Sequence, residues 1–134
     1  MAEALVAEGK EVFAIDDLST GSLANLAGVR GHPKFHFTQA SVLDGPALEE
    51  VAGRVDFIYH LAAAVGVELV VKSPVFTIED NVRGTENALA AAAKHSVGIL
   101  ITSTSEVYGK SDRERFREDE SYVLPDASSS CKRT

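Results

Sequence analysis

Val12-Phe13-Ala14-Ile15-Asp16-Asp17-Leu18-Ser19-Thr20-Gly21 carries a short apolar strand straight into two carboxylates and a turn. In a β-α-β unit that binds a dinucleotide, an acid at the end of such a strand accepts the hydroxyls of the adenosine ribose. It lies about 20 residues beyond a glycine-rich phosphate loop. Counting back that far from Asp16 passes Met1. The stretch predicts an α/β nucleotide-binding unit with no pyrophosphate cradle ahead of it. The plainer alternative is that Asp16 and Asp17 only form the turn before Ser19 and Gly21, and on these residues alone the two readings stand level.

Working outward, Leu5 and Val6 among alanines read as the end of a helix closed by Gly9, which suits a left-handed residue after a helix. Gly21 to Leu26 reads as a short helical turn, Lys34 to Thr38 as a second strand, and Asp44-Gly45-Pro46 as the start of a short helix with Leu48 and Val51 on one face. Val55 to Leu61 is nearly continuously apolar, as in a strand buried on both sides of a parallel sheet. Ser73 and Pro74 then start a long helix, with Ser73 as its cap, and Ile78, Val82, Thr85, Leu89 and Ala92 recur at helical spacing to about Lys94. Gly98 to Ser103 is a fourth strand, and from Gly109 onward the chain reads as loop. Strands alternating with helices imply a doubly wound parallel sheet of about four strands with helices on both faces.

Composition narrows the class. The 134 residues are 45% hydrophobic and 25% charged, as in one ordinary globular domain rather than a disordered chain. A net charge of −7 argues against nucleic acid or anionic membrane as partner, because both need a basic surface. The run Arg113 to Glu120 mixes signs and reads as a solvated loop. Cys131 is the only cysteine, so there is no internal disulfide framework and no zinc spacing, and no metal is expected. The first twenty residues hold five carboxylates and no signal-type apolar run, which makes the cytoplasm the expected compartment.

Ligands of such sheets sit beyond the carboxyl ends of the strands. There, Asp16 can take both ribose hydroxyls and would repel a 2′-phosphate, favouring NAD over NADP. His60-Leu61-Ala62-Ala63-Ala64 offers small side chains beside which a flat ring could approach the backbone, although such a run is more often ordinary helix-sheet packing and His60 reads as a buried, hydrogen-bonded histidine. Asn81 and Gly84 both weaken a helix, Gly by about 1 kcal/mol relative to Ala, so each needs a reason such as a buried amide bond or close packing. Ser103-Thr104-Ser105-Glu106-Val107-Tyr108-Gly109 gathers hydroxyls and a carboxylate. It could orient a substrate hydroxyl and exchange a proton, or simply satisfy the strand-end backbone.

With these pieces in this order, the chain resembles the extended short-chain dehydrogenase/reductase family, the NAD-dependent epimerases, dehydratases and decarboxylases of nucleotide sugars. The segments that carry the resemblance are Ile15 to Gly21, Ser41-Val42-Leu43-Asp44, His60 to Ala63, Asn81-Val82-Arg83-Gly84-Thr85 and Ser103 to Gly109. The resemblance implies that residues 1–108 form part of an NAD-binding Rossmann domain and 109–134 an irregular tail. It implies that Asp16 holds the adenosine ribose, that Asp17 and Leu18 border the adenine, and that Ser41 and Val42 flank its other side. Leu61, Ala62 and Ala63 would line the path to the nicotinamide ribose, and Asn81 would support the strand ends. Thr104 would hydrogen-bond the sugar's C4 oxygen during hydride transfer.

Ser105 and Glu106 after that Thr look like the UDP-glucuronate decarboxylases, in which C4 oxidation makes a β-keto acid that loses carbon dioxide. A UDP-glucose/galactose 4-epimerase is the second reading, and a non-catalytic nucleotide-binding module the third. The implied substrate is a UDP-sugar, and the implied assembly of the full-length parent a homodimer formed through the long helix; with half of that interface present, an exposed apolar stripe containing Val82 and Leu89 is expected on the helix.

Two family features do not occur in the sequence. No Gly-x-x-Gly-x-x-Gly opens a helix, and Tyr59, Tyr108 and Tyr122 are followed four residues later by Ala63, Asp112 and Asp126 rather than by the lysine of Tyr-x-x-x-Lys. The expectation is an inactive fragment whose first strand, the middle of the family's 3-2-1-4-5 sheet, is missing. A gap, or altered pairing, should then lie between the strand ending at Ile15 and the one ending at Leu61.

Overall fold

The computed structural model describes residues 1–104. Met1–Ile101 form one compact unit, and the division after Ile101 places Thr102–Thr104 in a second. The expectations for Ser105, Glu106, Tyr108, the mixed-charge run 113–120, Cys131 and the tail 109–134 lie outside the described residues.

The elements are α1 (Ala2–Ala7), β1 (Val12–Asp16), a 3₁₀ turn (Leu23–Leu26), β2 (Phe35–Gln39), α2 (Gly45–Ala52), β3 (Phe57–His60), α3 (Val67–Lys72), α4 (Pro74–His95) and β4 (Gly98–Ile101). β1 pairs in parallel with β2, Val12 opposite Phe35 and Asp16 opposite Gln39; β3 pairs in parallel with β4, Phe57 opposite Gly98 and His60 opposite Ile101. Among the described residues these are two separate two-stranded sheets, with no ladder between β1 and β3, as the expected gap in pairing requires.

Each half has its own packing. Val6, Val29 and Phe35 are buried together, with Val12, Ala14, Leu26 and Phe37 packed against them, so α1 and the loop before β2 cover one face of the first sheet. In the other half, the buried hydrophobic residues of α2 and α4 are Ala52, Ala88, Ala91 and Ala92, small side chains that bring the two helices close. Asp44 caps α2 by accepting the amide of Ala47 at 3.1 Å. Arg54, just beyond α2, lies 4.5 Å over the ring of Phe13 on β1, a cation–π contact that ties the halves together.

Two expectations are corrected. β3 is not buried on both faces: Phe57, Tyr59 and Leu61 are 47%, 43% and 47% exposed, because a strand in a two-stranded sheet lacks the neighbours that would cover it. The apolar stripe of α4 is exposed, as expected for Val82 and Leu89: with Ile78 they face outward, while Thr77, Gly84 and the alanines are inside. Ser73 does stand at the N-cap, but its side chain accepts no capping bond; instead its carbonyl accepts from the amide and the hydroxyl of Thr77. The helix α3 is not foreseen by the sequence reading, since Val67, Val70 and Val71 are β-branched and favour strand.

Candidate functional site

The first segment of the candidate site is the turn after β1. Asp16 Oδ1 accepts the amide of Leu18 at 2.7 Å and Asp17 Oδ1 accepts that of Ser19 at 2.9 Å, with Leu18 in the left-handed region at φ 62°. Hydrogen bonds from Ser19 hold the Asp17 carboxyl below its ordinary value. Both carboxylates therefore shape the turn, so the plainer reading of them is true as far as it goes. Asp16 nevertheless ends β1 with its side chain exposed, and a carboxylate that accepts one bond keeps lone pairs for a diol. Gly21 stands opposite: a Cβ there would be 3.3 Å from Asp16 Oδ1, so the bare backbone leaves the approach to the carboxylate open. These residues fit the ribose end of a dinucleotide.

The second segment follows β2. Ser41 closes a tight turn, its hydroxyl accepting the amide of Leu43 at 3.2 Å and its carbonyl that of Asp44 at 3.0 Å. Val42, in the middle, is half-buried against α4.

The third follows β3, and here the two helix-weakening residues find their reasons. The Asn81 side chain closes a two-bond ring with Ala64, accepting its amide at 2.7 Å and donating to its carbonyl at 3.1 Å. That amide ring fixes the end of the stretch Leu61-Ala62-Ala63-Ala64, whose first three residues are exposed. Gly84 is required by close approach: a Cβ would meet Val42 Cγ2 at 2.7 Å.

His60 is buried and 3.2 Å from Thr85 Oγ1 through Nε2. The Thr85 hydroxyl already donates its one hydrogen to the carbonyl of Asn81 at 2.8 Å, so it accepts from His60, which is then the Nε2–H tautomer. Burial pushes the imidazole pKa down, keeping the ring neutral. His60 is thus the structural, hydrogen-bonded histidine that the sequence suggests.

The structure accordingly brings Val42, His60, Ala64, Asn81, Gly84 and Thr85 around one stretch of α4, and sets Asp16, Asp17 and Leu18 at the end of β1. Thr104 follows β4 along the chain and is exposed. The sequence reading missed Thr85 as the partner of His60 and Asn87, whose Nδ2 donates to the carbonyl of Val42 at 3.0 Å. The signal was available in part, because Asn87 is another poor helix former inside α4. A groove of about 640 Å³ between α2 and α4 is lined by Glu49, Arg54, Lys94 and His95 and by none of the predicted site residues. Among the described residues no three His, Cys, Asp or Glu side chains cluster as metal ligands, and no helix is long and apolar enough to cross a membrane.

Comparison with known proteins identifies the family. A family model described as GDP-mannose 4,6 dehydratase matches residues 1–128. The chain belongs to that family, within the extended short-chain dehydrogenase/reductases. It is 38% identical over 111 residues to a dTDP-glucose 4,6-dehydratase of Streptomyces griseus, covering 81% of this chain and 34% of that one. To UDP-glucuronic acid decarboxylase 5 of Arabidopsis thaliana it is 44% identical over 102 residues, covering 76% and 28%. The crystal structure of the dTDP-glucose 4,6-dehydratase DesIV from Streptomyces venezuelae, with NAD and TYD bound, superimposes with a TM-score of 0.80 at 30% identity, over 90% of this chain and 40% of that one. The chain thus spans between about a quarter and a third of the length of the curated relatives it matches. The family is one of NAD-dependent enzymes that act on nucleotide sugars, and its Rossmann fold is the one partly present here.

Proposed function

We propose that this chain carries the coenzyme-binding part of an NAD-dependent nucleotide-sugar enzyme, with UDP-glucuronate decarboxylation as the reaction of the whole. The observation that supports it most is Asp16: an exposed carboxylate ending β1, opposite a glycine that leaves room beside it. In this reading Asp16 accepts the adenosine ribose diol, Asp17 and Leu18 border the adenine, and Ser41 and Val42 flank it. Leu61, Ala62 and Ala63 line the nicotinamide ribose, and Asn81 holds their loop through Ala64. NAD, when bound, supplies the acceptor for the hydride from the sugar's C4. Thr104 hydrogen-bonds the C4 oxygen, with Ser105 and Glu106 beside it along the chain.

By the family resemblance, 4,6-dehydratases carry Asp-Glu after the catalytic Thr and simple 4-epimerases lack the Glu, so Ser105 followed by Glu106 favours the decarboxylase over both. The 44% identity to the plant decarboxylase points the same way. No Tyr-x-x-x-Lys stands in this sequence, so the proposed activity of these 134 residues alone is binding rather than turnover. The exposed stripe Val75, Ile78, Val82 and Leu89 on α4 suits a second copy of the same helix, and the proposed compartment is the cytoplasm.

Calorimetric titration tests the reading. NAD should bind, NADP more weakly because its 2′-phosphate faces a carboxylate, and Asp16→Asn should weaken NAD at least tenfold, since hydrogen bonds to a charged group are worth about 1.5 to 3 kcal/mol. Equal affinity of the variant and the parent protein, or no affinity for NAD at all, overturns it.

A further inference from the structure

We propose that Asn87 and Gly84 of α4 are positioning residues for the adenine-side turn, fixing Val42 and through it Ser41 to Asp44. The proposal deepens the coenzyme reading above and rests on it for what that turn faces. The other hydrogen bonds of this turn are local. Ser41 accepts from Leu43 and Asp44, and Asp44 accepts from Ala47 at the start of α2. Such bonds give the turn its shape but do not place it relative to the rest of the site.

Placement comes from α4, 45 residues further along the chain. Asn87 Nδ2 donates to the Val42 carbonyl at 3.0 Å, and the Val42 isopropyl group sits where a Cβ on residue 84 would be, 2.7 Å from Cγ2. One contact fixes the backbone of Val42 and the other its side chain, so the residue can neither slide along α4 nor lift away from it. The same helix holds the loop after β3 through Asn81 and Ala64, six residues earlier and therefore about 9 Å along the axis. One rigid helix thus sets the distance between the turn proposed to hold the adenine and the loop proposed to face the nicotinamide ribose. Asn and Gly are both poor choices for a helix interior, and their presence within one turn of each other is accounted for by this single seat.

The experiment compares Asn87→Ala and Asn87→Asp with the parent protein. Alanine favours the helix, and aspartate keeps the shape of the side chain but has no N–H to donate, so α4 survives in both. Amide exchange at Leu43, Asp44 and Gly45 should quicken about fivefold, the value of one lost hydrogen bond, while exchange along α4 stays as it was. Titration with AMP and with nicotinamide mononucleotide should show AMP weakened by about the same factor and the mononucleotide unchanged. Unchanged exchange at those three amides overturns the proposal, as does a rise shared by the whole of α2 and α4, or equal weakening of the two nucleotides. If the parent protein binds neither nucleotide, the coenzyme reading fails, and the exchange rates still decide whether Asn87 positions the turn.

Discussion

Replacing Asn81 by alanine isolates one side chain that closes a loop over the candidate site. The substitution removes two hydrogen bonds to Ala64, at 2.7 and 3.1 Å, each worth about 1 kcal/mol net in a half-buried setting. Against this, alanine is the better helix former by roughly 0.6 kcal/mol, so the expected loss is about 1.5 kcal/mol. Urea unfolding should show it as a lower midpoint with an unchanged slope, and the Ala64 amide should lose its protection. Asn81→Asp sharpens the test, because its carboxylate still accepts the Ala64 amide but sets a negative charge against the Ala64 carbonyl. That variant should be at least as unstable near neutrality and should recover when acid protonates it into a donor. A midpoint at or above that of the parent protein, with the Ala64 amide still protected, would refute the account of why an asparagine sits inside α4.

Gly84→Ala sets a helix gain of about 1 kcal/mol against an overpacking cost of about 1 to 3 kcal/mol, since Val42 is β-branched and yields poorly. Net destabilisation of about 1 kcal/mol is expected, and Val42→Ala added to it should restore the helix gain; strict additivity in this double-mutant cycle would show no clash. His60 gives a pH dependence. Its folded pKa lies below the ordinary 6.5, so the unfolded chain binds the proton more readily. Stability should be whole above about pH 6.5 and fall as acid carries the protein down through the window between the unfolded and folded values, a slope that His60→Gln flattens. Val82→Glu and Leu89→Glu on the exposed stripe of α4 should abolish any self-association seen by sedimentation in the parent protein; a monomeric parent at high concentration removes that surface from consideration.

The sequence makes the strand order legible because each strand is short and bounded by glycine, proline or acid, while α3 is missed. It flags Asn81 and Gly84 for a physical reason, their cost in a helix, and the structure supplies a hydrogen-bonded loop and a close contact as the compensation. It also places His60 among structural histidines. What it cannot give is the partner across space. Thr85 and Asn87 act on His60 and Val42, 25 and 45 residues away, and nothing local in the chain announces those contacts. The burial of β3 is misjudged for a related reason: an apolar run reports composition, while exposure depends on whether another element covers it. Phe57 and Tyr59 are apolar and uncovered. Ser105 and Glu106, the residues on which the choice of reaction turns, fall outside the described part.

The separation of the two ladders has a thermal consequence. With no backbone hydrogen bond shared between β1–β2 and β3–β4 among the described residues, the halves lean on each other only through side chains such as Arg54 over Phe13. Cooperativity across such a seam is weak, so heating should loosen the β1–β2 half and the α4 half in successive, overlapping steps rather than in one transition. Whatever comes to lie along both open strand edges would do more than cover them: it would weld two partly independent melting units into one.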